Sequence, residues 1–405
     1  MSEAGPLDRL IERSRRIGER ADLVVHGGGN TSTKTTAVDH LGRSRRVLIV
    51  KASGTDLRTI DAAGFVELYL DELLFAREQE DMDDDRMMSF VDRCLVRPTR
   101  RRASIETLLH AFLPARDVDH VHADAICALT KAPNPEGAVR EALGGDVAYV
   151  DYVRPGFGLA KLVAALAGHE AVVLGHHGLV TWSDDGRSLD RAIELVERAE
   201  RHMTNARRAS VTADSASLSG DATEALLLGL RSRLSRESRV VLHVDRSARR
   251  ISDRPDVNRI AEAGPATADH LLLVRPWSVV VRSDADVAPA IDAYEDRYRS
   301  YWERHAARAP GGYGMRSSLP AVIVVPGLGV IGTGRSKGQA RKVAEVAAHT
   351  HAVAASATDV FGAAVTLSDE DLFDIDYWPL ELAMITRPAI SCAPAGAIFA
   401  SSSGQ

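Results

Sequence analysis

The sequence predicts an α/β protein, and three observations predict this class. The chain has 405 residues, of which 45% are hydrophobic and 26% charged, values typical of a globular protein with two or three domains. Short apolar runs such as 47–51 and 171–175 have the length of buried strands. Stretches with helical periodicity, such as 5–20 and 187–205, alternate with them, which is the pattern of an α/β domain.

The composition along the chain predicts two folded units. The alternation of strands and helices covers residues 1–210, and we expect one domain there. Small polar residues predict a linker over 211–223. A second α/β domain is expected over 224–386. Residues 387–405 contain Pro, Gly and Ser, so they predict a weakly ordered tail and not a membrane span.

Each element of the second unit is predicted from its apolar pattern. Apolar runs predict strands over 239–244, 270–274, 278–281 and 321–325. Longer periodic segments predict helices over 289–307 and 336–355.

The second unit partly repeats the first. Residues 178–199 and 327–347 share Gly-Leu and then Gly-Arg-Ser, and Asp119-His120 is similar to Asp269-His270. Such an alignment equates His177 with Pro326 and His122 with Leu272. Two explanations stay open: a duplication whose second copy is degenerate and has lost its histidines, or the general likeness of all strand–loop–helix units.

Charge and cysteine content exclude several classes of protein. The net charge is −6, which argues against a nucleic-acid or anionic-membrane partner. The three cysteines, Cys94, Cys127 and Cys392, form no CxxC pair, so neither a disulfide framework nor a thiolate zinc site is indicated. The first 16 residues contain no apolar signal core. We therefore expect a reducing, cytoplasmic setting.

Histidines at two places are candidate metal ligands. His120 and His122 are two residues apart in a predicted strand, so both imidazoles would lie on one face. His176 and His177 follow the apolar run 171–175, where a strand end could supply one of the two as a third ligand. Taken singly, each of these histidines is more typical of a packed or solvated side chain.

Further polar residues precede these histidines. Ser104 could begin a helix over 104–112, with Glu106 in its first turn. That carboxylate could simply complement the helix dipole, or it could act near a metal as a general acid/base or an exchangeable ligand. His110 is interpreted as a packed neighbour. The loops 27–32 and 53–55 offer backbone N–H groups and hydroxyls, and Lys51 adds a positive charge, a combination that suits an anion.

A rival motif is GxGxxG at 327–332, after an apolar run. Only 73 residues follow Gly332, and no second strand ending in an acidic residue is evident at the required distance. Dinucleotide binding is therefore disfavoured.

Taken together, these motifs resemble the class II aldolase/adducin family. The longer strings HGGGNTS, SIETLLHAFLP and VDHVHADA look most like the aldolase part of bifunctional rhamnulose-1-phosphate aldolase/short-chain dehydrogenase proteins, here without the dehydrogenase. The resemblance rests on five motifs in the order of the family: Gly29-Asn30-Thr31-Ser32, Lys51-Ala52-Ser53-Gly54-Thr55, Ser104-Ile105-Glu106 with His110, His120-Val121-His122, and His176-His177-Gly178-Leu179.

The resemblance implies a mixed sheet flanked by helices, a symmetric homo-oligomer and one divalent metal ion, most often Zn²⁺. It implies that His120, His122 and His177 hold the metal and that Glu106 is the acid/base. A substrate phosphate would be bound by a polar set comprising Gly29, Asn30, Thr31, Lys51, Ser53, Gly54 and Ser104.

The sequence departs from the family at three places. Ile105 stands where a second serine is frequent, and Gly27 stands where a threonine is frequent. No tyrosine clearly matches the one that protonates a product in some members, so Tyr149 and Tyr152 are only guesses. These departures weaken the sugar-phosphate assignment more than the metal site.

The expected function is metal-dependent cleavage of a ketose 1-phosphate, such as rhamnulose 1-phosphate, into dihydroxyacetone phosphate and an aldehyde. A sugar-phosphate epimerase or a decarboxylase on the same site is the alternative within enzymes. A non-catalytic, adducin-like scaffold is the alternative of another class.

Overall fold

The computed structural model describes residues 4–207, 216–380 and 382. The predicted tail, 387–405, lies outside the described residues, as do the first five residues of the predicted linker, 211–215. The last four residues of that linker, 220–223, already belong to a helix.

Within the described residues, seven strands of the first unit form one mixed sheet in the order β3-β2-β1-β4-β7-β6-β5. Neighbouring strands are antiparallel except for the parallel pair β5 and β6. The strands are β1 (Asn30–Val38), β2 (Ser44–Lys51), β3 (Phe65–Tyr69), β4 (Asp117–Val121), β5 (Val147–Val150), β6 (Ala171–Leu174) and β7 (Gly178–Ser183).

Helices cover both faces of this sheet. The first face packs against α1, α5, α6 and α8, and the second against α2, α3, α4 and α7. Apolar side chains of β4 alternate between the two cores, with Val118 on the second face and Val121 on the first. The helices are α1 (Pro6–Gly18), α2 (Leu70–Leu74), α3 (Asp84–Arg93), α4 (Thr107–Phe112), α5 (Asp124–Thr130), α6 (Pro135–Leu143), α7 (Phe157–Ala165) and α8 (Ser188–Ala206).

Two predicted boundaries in the first unit were wrong. The helix expected over 104–112 begins at Thr107, because Ser104 lies in the preceding turn and its Oγ accepts a hydrogen bond from the N–H of Glu106. The expected loop over 27–32 ends at Asn30, where β1 begins. The threonine-rich stretch that follows suits a strand and pairs with both β2 and β4.

The second unit also combines a sheet with helices. Its strands, among the described residues, have the order β8-β11-β10-β9. No described helix has both the length and the apolar character required to cross a membrane. The elements are α9 (Gly220–Leu234), β8 (Val241–Asp245), α10 (Arg249–Ser252), α11 (Val257–Glu262), α12 (Ala268–Val274), β9 (Val279–Val280), α13 (Val287–His305), β10 (Val322–Val325), β11 (Gly329–Gly334), α14 (Lys337–Phe361) and α15 (Asp369–Asp376).

The strand predicted over 270–274 is wrong, because these residues form most of α12. The four apolar residues that follow His270 are compatible with either a strand or a buried helix. The start of the helix decides between them: Thr267 is the N-cap, and its hydroxyl accepts a hydrogen bond from the N–H of His270 at 3.3 Å. Asp269 then lies in the first turn.

The smaller sheet repeats part of the larger one. In the order β4-β7-β6-β5, the successive pairs are antiparallel, antiparallel and parallel. The order β8-β11-β10-β9 has the same sequence of directions. The hairpin turns also match, since Leu174 pairs with Gly178 and Val325 pairs with Gly329, each across three residues. This shared topology supports the duplication that the sequence leaves open.

The strand registers correct the predicted equivalences. Because Gly178 and Gly329 occupy the same hairpin position, His177 corresponds to Leu328 and not to Pro326. His176 and Gly327 then coincide, and both have a positive φ, of 50° and 80° respectively.

The residue that follows β4 is likewise matched by register. The pairing of β8 with β11 places Arg246, and not Leu272, at the position of His122. The aligned Asp119-His120 and Asp269-His270 also differ in structure, since the first pair is in a strand and the second in a helix.

The two units pack against each other through a buried lysine. Lys131 is fully buried at the end of α5, and its Nζ donates hydrogen bonds to the carbonyls of Ala263 at 2.9 Å and Val365 at 3.4 Å. The N–H of Val365 donates back to the Lys131 carbonyl at 2.8 Å. Burial lowers the pKa of Lys131 to about 8.

We expect the stability of the protein to rise with pH through this lysine. Between about pH 8 and its ordinary pKa near 10.4, Lys131 loses its proton in the folded state while the unfolded chain keeps it, so alkaline pH favours folding. Relative to a Lys131→Met variant, the wild type should gain about 2–3 kcal/mol of unfolding free energy over this range. Urea unfolding at pH 7.5, 9 and 10 measures the difference. The exposed Lys337→Met variant is the matched control, and parallel pH profiles for wild type and Lys131→Met would refute the expectation.

Candidate metal centre

Three histidine rings converge at one end of the larger sheet. The Nε2 atom of His120 lies 2.9 Å from that of His122 and 3.3 Å from that of His177. One nitrogen from each ring belongs to a set whose members all lie within 4.8 Å of one another. All three side chains are buried. The structure therefore brings together the three ligands that the sequence predicts.

Strand pairing positions these rings. His120 lies in the central strand β4, paired with Asn30 of β1 and Val180 of β7, and His122 follows directly after the strand ends. His177 lies in the turn between β6 and β7. At Gly178, a Cβ atom would lie 2.2 Å from the Val121 carbonyl, so only glycine allows the two strands to approach this closely.

The surroundings keep the three imidazoles neutral. Burial lowers the pKa of His120 to about 4 and places the pKa values of His122 and His177 well below their ordinary range. The Nδ1 of His120 is 3.1 Å from the Leu179 carbonyl, which can only accept, so Nδ1 carries the hydrogen and Nε2 presents its lone pair. A neutral imidazole with an inward lone pair is the form that binds a metal ion.

Glu106 is the acidic side chain nearest to the rings from its own unit. Its Oε1 lies 3.5 Å from Nε2 of His120 and 3.6 Å from Nε2 of His177, and this one oxygen atom makes no hydrogen bond. Burial raises the pKa of Glu106 to about 7, although the positive charge of Lys51 and a hydrogen bond from Asn30 oppose the rise. A carboxyl group so placed can hold or release a proton near neutral pH.

Beside the rings lies a polar cavity of about 200 Å³. Asn30 supports one wall, since its Nδ2 donates a hydrogen bond to Ser104 Oγ at 2.6 Å. Lys51 Nζ donates to the Gly27 carbonyl at 3.1 Å. Of the residues predicted for phosphate binding, those that line the cavity are Gly29, Lys51, Ser53, Gly54 and Ser104.

Thr31 is a correction to the predicted phosphate-binding set. Its hydroxyl lies 2.7 Å from Ser14 Oγ of α1, on the opposite face of the sheet from Glu106. Neighbouring residues of a strand point to opposite faces, so Asn30 and Thr31 cannot both serve the cavity.

Other candidates lie outside the three-histidine set. His110 is fully buried with its Nδ1 2.8 Å from Ser32 Oγ, as expected for a packed neighbour. Neither Tyr149 nor Tyr152 lines the cavity, so neither guess for a protonating tyrosine gains support. Ile105 does line it, at the position where a hydroxyl is frequent in the family.

The second unit supplies cavity residues that sequence reasoning missed. Five described side chains of that unit line the same cavity: Asp269, Leu272, Leu273, Lys342 and Trp378. The run 270–274 predicts a strand. Thr267, the N-cap of α12, is the sequence signal that could have placed Asp269 at a helix N-terminus.

Two family comparisons cover most of the chain. Residues 8–205 match the class II aldolase and adducin N-terminal domain. Residues 221–385 match the second domain of class II aldolases. The chain belongs to the class II aldolase and adducin family. The mixed sheet that the resemblance implies is confirmed, and so is the second α/β domain that the composition predicts.

One relative of this class II aldolase family member is a longer bacterial protein. An uncharacterized oxidoreductase of Bacillus subtilis, YuxG, is 31% identical over an alignment of 411 positions that covers 94% of this chain and 58% of that protein. The chain thus spans little more than half the length of this relative.

Solved structures resemble about half of this class II aldolase family member. The N-terminal class II aldolase domain of a conserved Thermoplasma acidophilum protein is 42% identical over 50% of this chain and 95% of its own, with a TM-score of 0.47. An L-fuculose-1-phosphate aldolase of Thermus thermophilus is 19% identical over 49% of this chain and 95% of its own, with a TM-score of 0.33.

The residues of the family site fit a divalent metal ion. Three neutral imidazoles with converging nitrogens match a catalytic zinc site, which has three protein ligands and one open position. The unbonded Oε1 of Glu106 points to the same place, where an ion or an ion-bound water would satisfy it.

Proposed function

We propose that this protein is a metal-dependent aldolase that cleaves a ketose 1-phosphate, such as rhamnulose 1-phosphate, into dihydroxyacetone phosphate and an aldehyde. The observation that supports this proposal is the juxtaposition of three neutral histidines, a glutamate that can exchange a proton near neutral pH, and a polar wall formed by Lys51, Ser53 and Ser104 beside one cavity. We propose zinc as the ion, because its usual ligand set is the one present here.

A retro-aldol reaction places negative charge on an enediolate oxygen, and a bound divalent ion supplies the Lewis acid that stabilises this charge. His120, His122 and His177 would hold that ion. Glu106, whose Oε1 lies 3.5 Å from Nε2 of His120 and 3.6 Å from that of His177, would as a carboxylate take the proton from the substrate hydroxyl as the carbon–carbon bond breaks. The same group would then deliver that proton to the carbon of the enediolate, which gives dihydroxyacetone phosphate and restores the carboxylate.

The polar wall formed by Lys51, Ser53 and Ser104 would bind the substrate phosphate and so fix the position of the substrate. Lys51 adds a positive charge, and Ser53 and Ser104 offer hydroxyls toward a phosphate group. Gly54 has a φ of 74°, a conformation that favours glycine and exposes backbone at the turn. Fixing the phosphate would orient the scissile bond between the ion and Glu106.

Product analysis tests the proposal. We expect zinc-loaded protein to release dihydroxyacetone phosphate from at least one member of a panel of ketose 1-phosphates, and to cleave the unphosphorylated ketoses much more slowly. An epimer or carbon dioxide among the products would instead identify the epimerase or decarboxylase alternatives. Metal-loaded protein that converts none of the panel would leave the adducin-like scaffold as the better hypothesis.

Two further expectations remain proposals, one from the family resemblance and one from the cysteine content. A symmetric homo-oligomer would show a sedimentation mass that is a multiple of 43.7 kDa. A reducing, cytoplasmic setting is expected from the cysteine pattern alone.

A further inference from the structure

The outward-facing nitrogen of His122 makes no hydrogen bond. Nε2 of this ring faces His120 at 2.9 Å, so Nδ1 points away from the convergence point. That Nδ1 atom is buried and has no hydrogen-bond partner. Nδ1 of His120 differs, because it donates a hydrogen bond to the Leu179 carbonyl. A histidine that ligates a metal through Nε2 carries its hydrogen on Nδ1, and that hydrogen requires an acceptor.

Asp269 of the second unit lies beside this nitrogen. Its Oδ2 is 3.5 Å from Nδ1 of His122, and its side chain is 45% exposed to the cavity. His122 and this carboxylate are therefore within ion-pair distance of each other. Asp269 does not belong to the set of atoms that converge within 4.8 Å, so it lies outside the ligand sphere.

Glycine leaves room for this approach. A Cβ atom on Gly28 would lie 3.0 Å from Nδ1 of His122, which is tighter than most contacts of a real side chain. On the opposite side, a Cβ on Gly178 would lie 3.1 Å from Cδ2 of the same ring. The ring is therefore confined between two glycines, and a small movement of the exposed Asp269 side chain would bring its oxygen to hydrogen-bonding distance.

From this geometry we infer that Asp269 is a positioning residue of the metal centre, which accepts a hydrogen bond from Nδ1–H of His122 when the ring holds the ion. The inference rests on the metal site of the proposed function. A carboxylate in this place fixes the tautomer and the orientation of the ring and increases its basicity as a ligand. The second unit would then take part in metal binding although none of the three ligands belongs to it.

Metal affinity is the direct test. Zinc affinity of the full chain is measured by competition with a chromophoric chelator for wild type, Asp269→Ala and Asp269→Asn. We expect Asp269→Ala to bind zinc about 10–100-fold more weakly. Asp269→Asn should lie between the two, because its amide oxygen can still accept a hydrogen bond. Asp284→Asn, an exposed aspartate of the same unit, is the matched control and should bind as the wild type does.

The visible spectrum of the cobalt-substituted protein gives a second readout that reports on ligand geometry. We expect the cobalt bands to shift in Asp269→Ala, whereas unfolding of the metal-free variants in urea should match that of the wild type. Should Asp269→Ala not fold, Asp269→Asn carries the test. Zinc affinity of Asp269→Ala within twofold of the wild type would overturn this inference and leave the proposed function standing. A wild-type chain that binds neither zinc nor cobalt would overturn both.

Discussion

A His177→Ala variant is expected to lose the bound metal and, with it, all measurable cleavage activity. His177 contributes one of the three imidazoles that converge in the described part of the chain, and its Nε2 lies 3.3 Å from that of His120. Removing a direct ligand should weaken metal affinity by more than the about 10–100-fold cost of losing an outer partner. Metal content per chain after dialysis, measured by elemental analysis, should fall from about one ion to near zero.

His40→Ala is the matched control, because His40 is exposed in the β1–β2 turn, away from the three rings. It should keep both metal and activity. Circular dichroism should show that His177→Ala retains the fold, since the ring faces the cavity and belongs to none of the hydrophobic clusters. Full metal occupancy in His177→Ala would contradict the assignment of the ligand set.

Glu106→Gln is expected to reduce kcat by about 10²–10⁴-fold while the protein keeps its metal. Glutamine preserves the size of the side chain and its oxygen, but it cannot exchange a proton. Glu106 lies 3.5 Å from Nε2 of His120 and is not a member of the three-histidine set, so metal affinity should change little. Steady-state kinetics on the cleaved ketose phosphate and metal analysis of the same sample separate the two effects.

The exposed Glu78→Gln variant controls for the chemical change itself and should behave as the wild type. If Glu106→Gln lost its metal along with its activity, the carboxylate would be a fourth ligand rather than the group that moves the proton. Unchanged kcat would exclude Glu106 from the reaction.

Much of the metal centre could be predicted because its residues follow simple geometric rules. His120 and His122 share a face through the period of two in an extended chain, and His177 marks the end of a neighbouring buried strand. The same rule shows why Thr31 was misassigned. It alternates with Asn30, and its hydroxyl therefore faces α1.

The contribution of the second unit could not be predicted, because it depends on how two units pack. No local pattern places Asp269 beside His122, which is 147 positions earlier in the sequence. The run 270–274 is compatible with a strand or a helix; the N-cap Thr267 begins the helix, and packing against α14 and α15 buries it. The repeated strand order likewise emerges from registers and not from sequence similarity, which matched the wrong residues.

The origin of Asp269 in the second unit has a consequence for the order of events during synthesis. All three imidazoles are synthesised before Asp269, so an ion could bind to the first unit before the second unit is complete. Asp269 follows about ninety residues later, a delay of roughly 5–20 s at ordinary rates of translation. During this interval the nascent chain would exchange its ion with the surrounding pool, and the arrival of α12 would end the exchange. The identity of the metal ion that the mature protein retains would then be determined late, once the second unit has packed against the first.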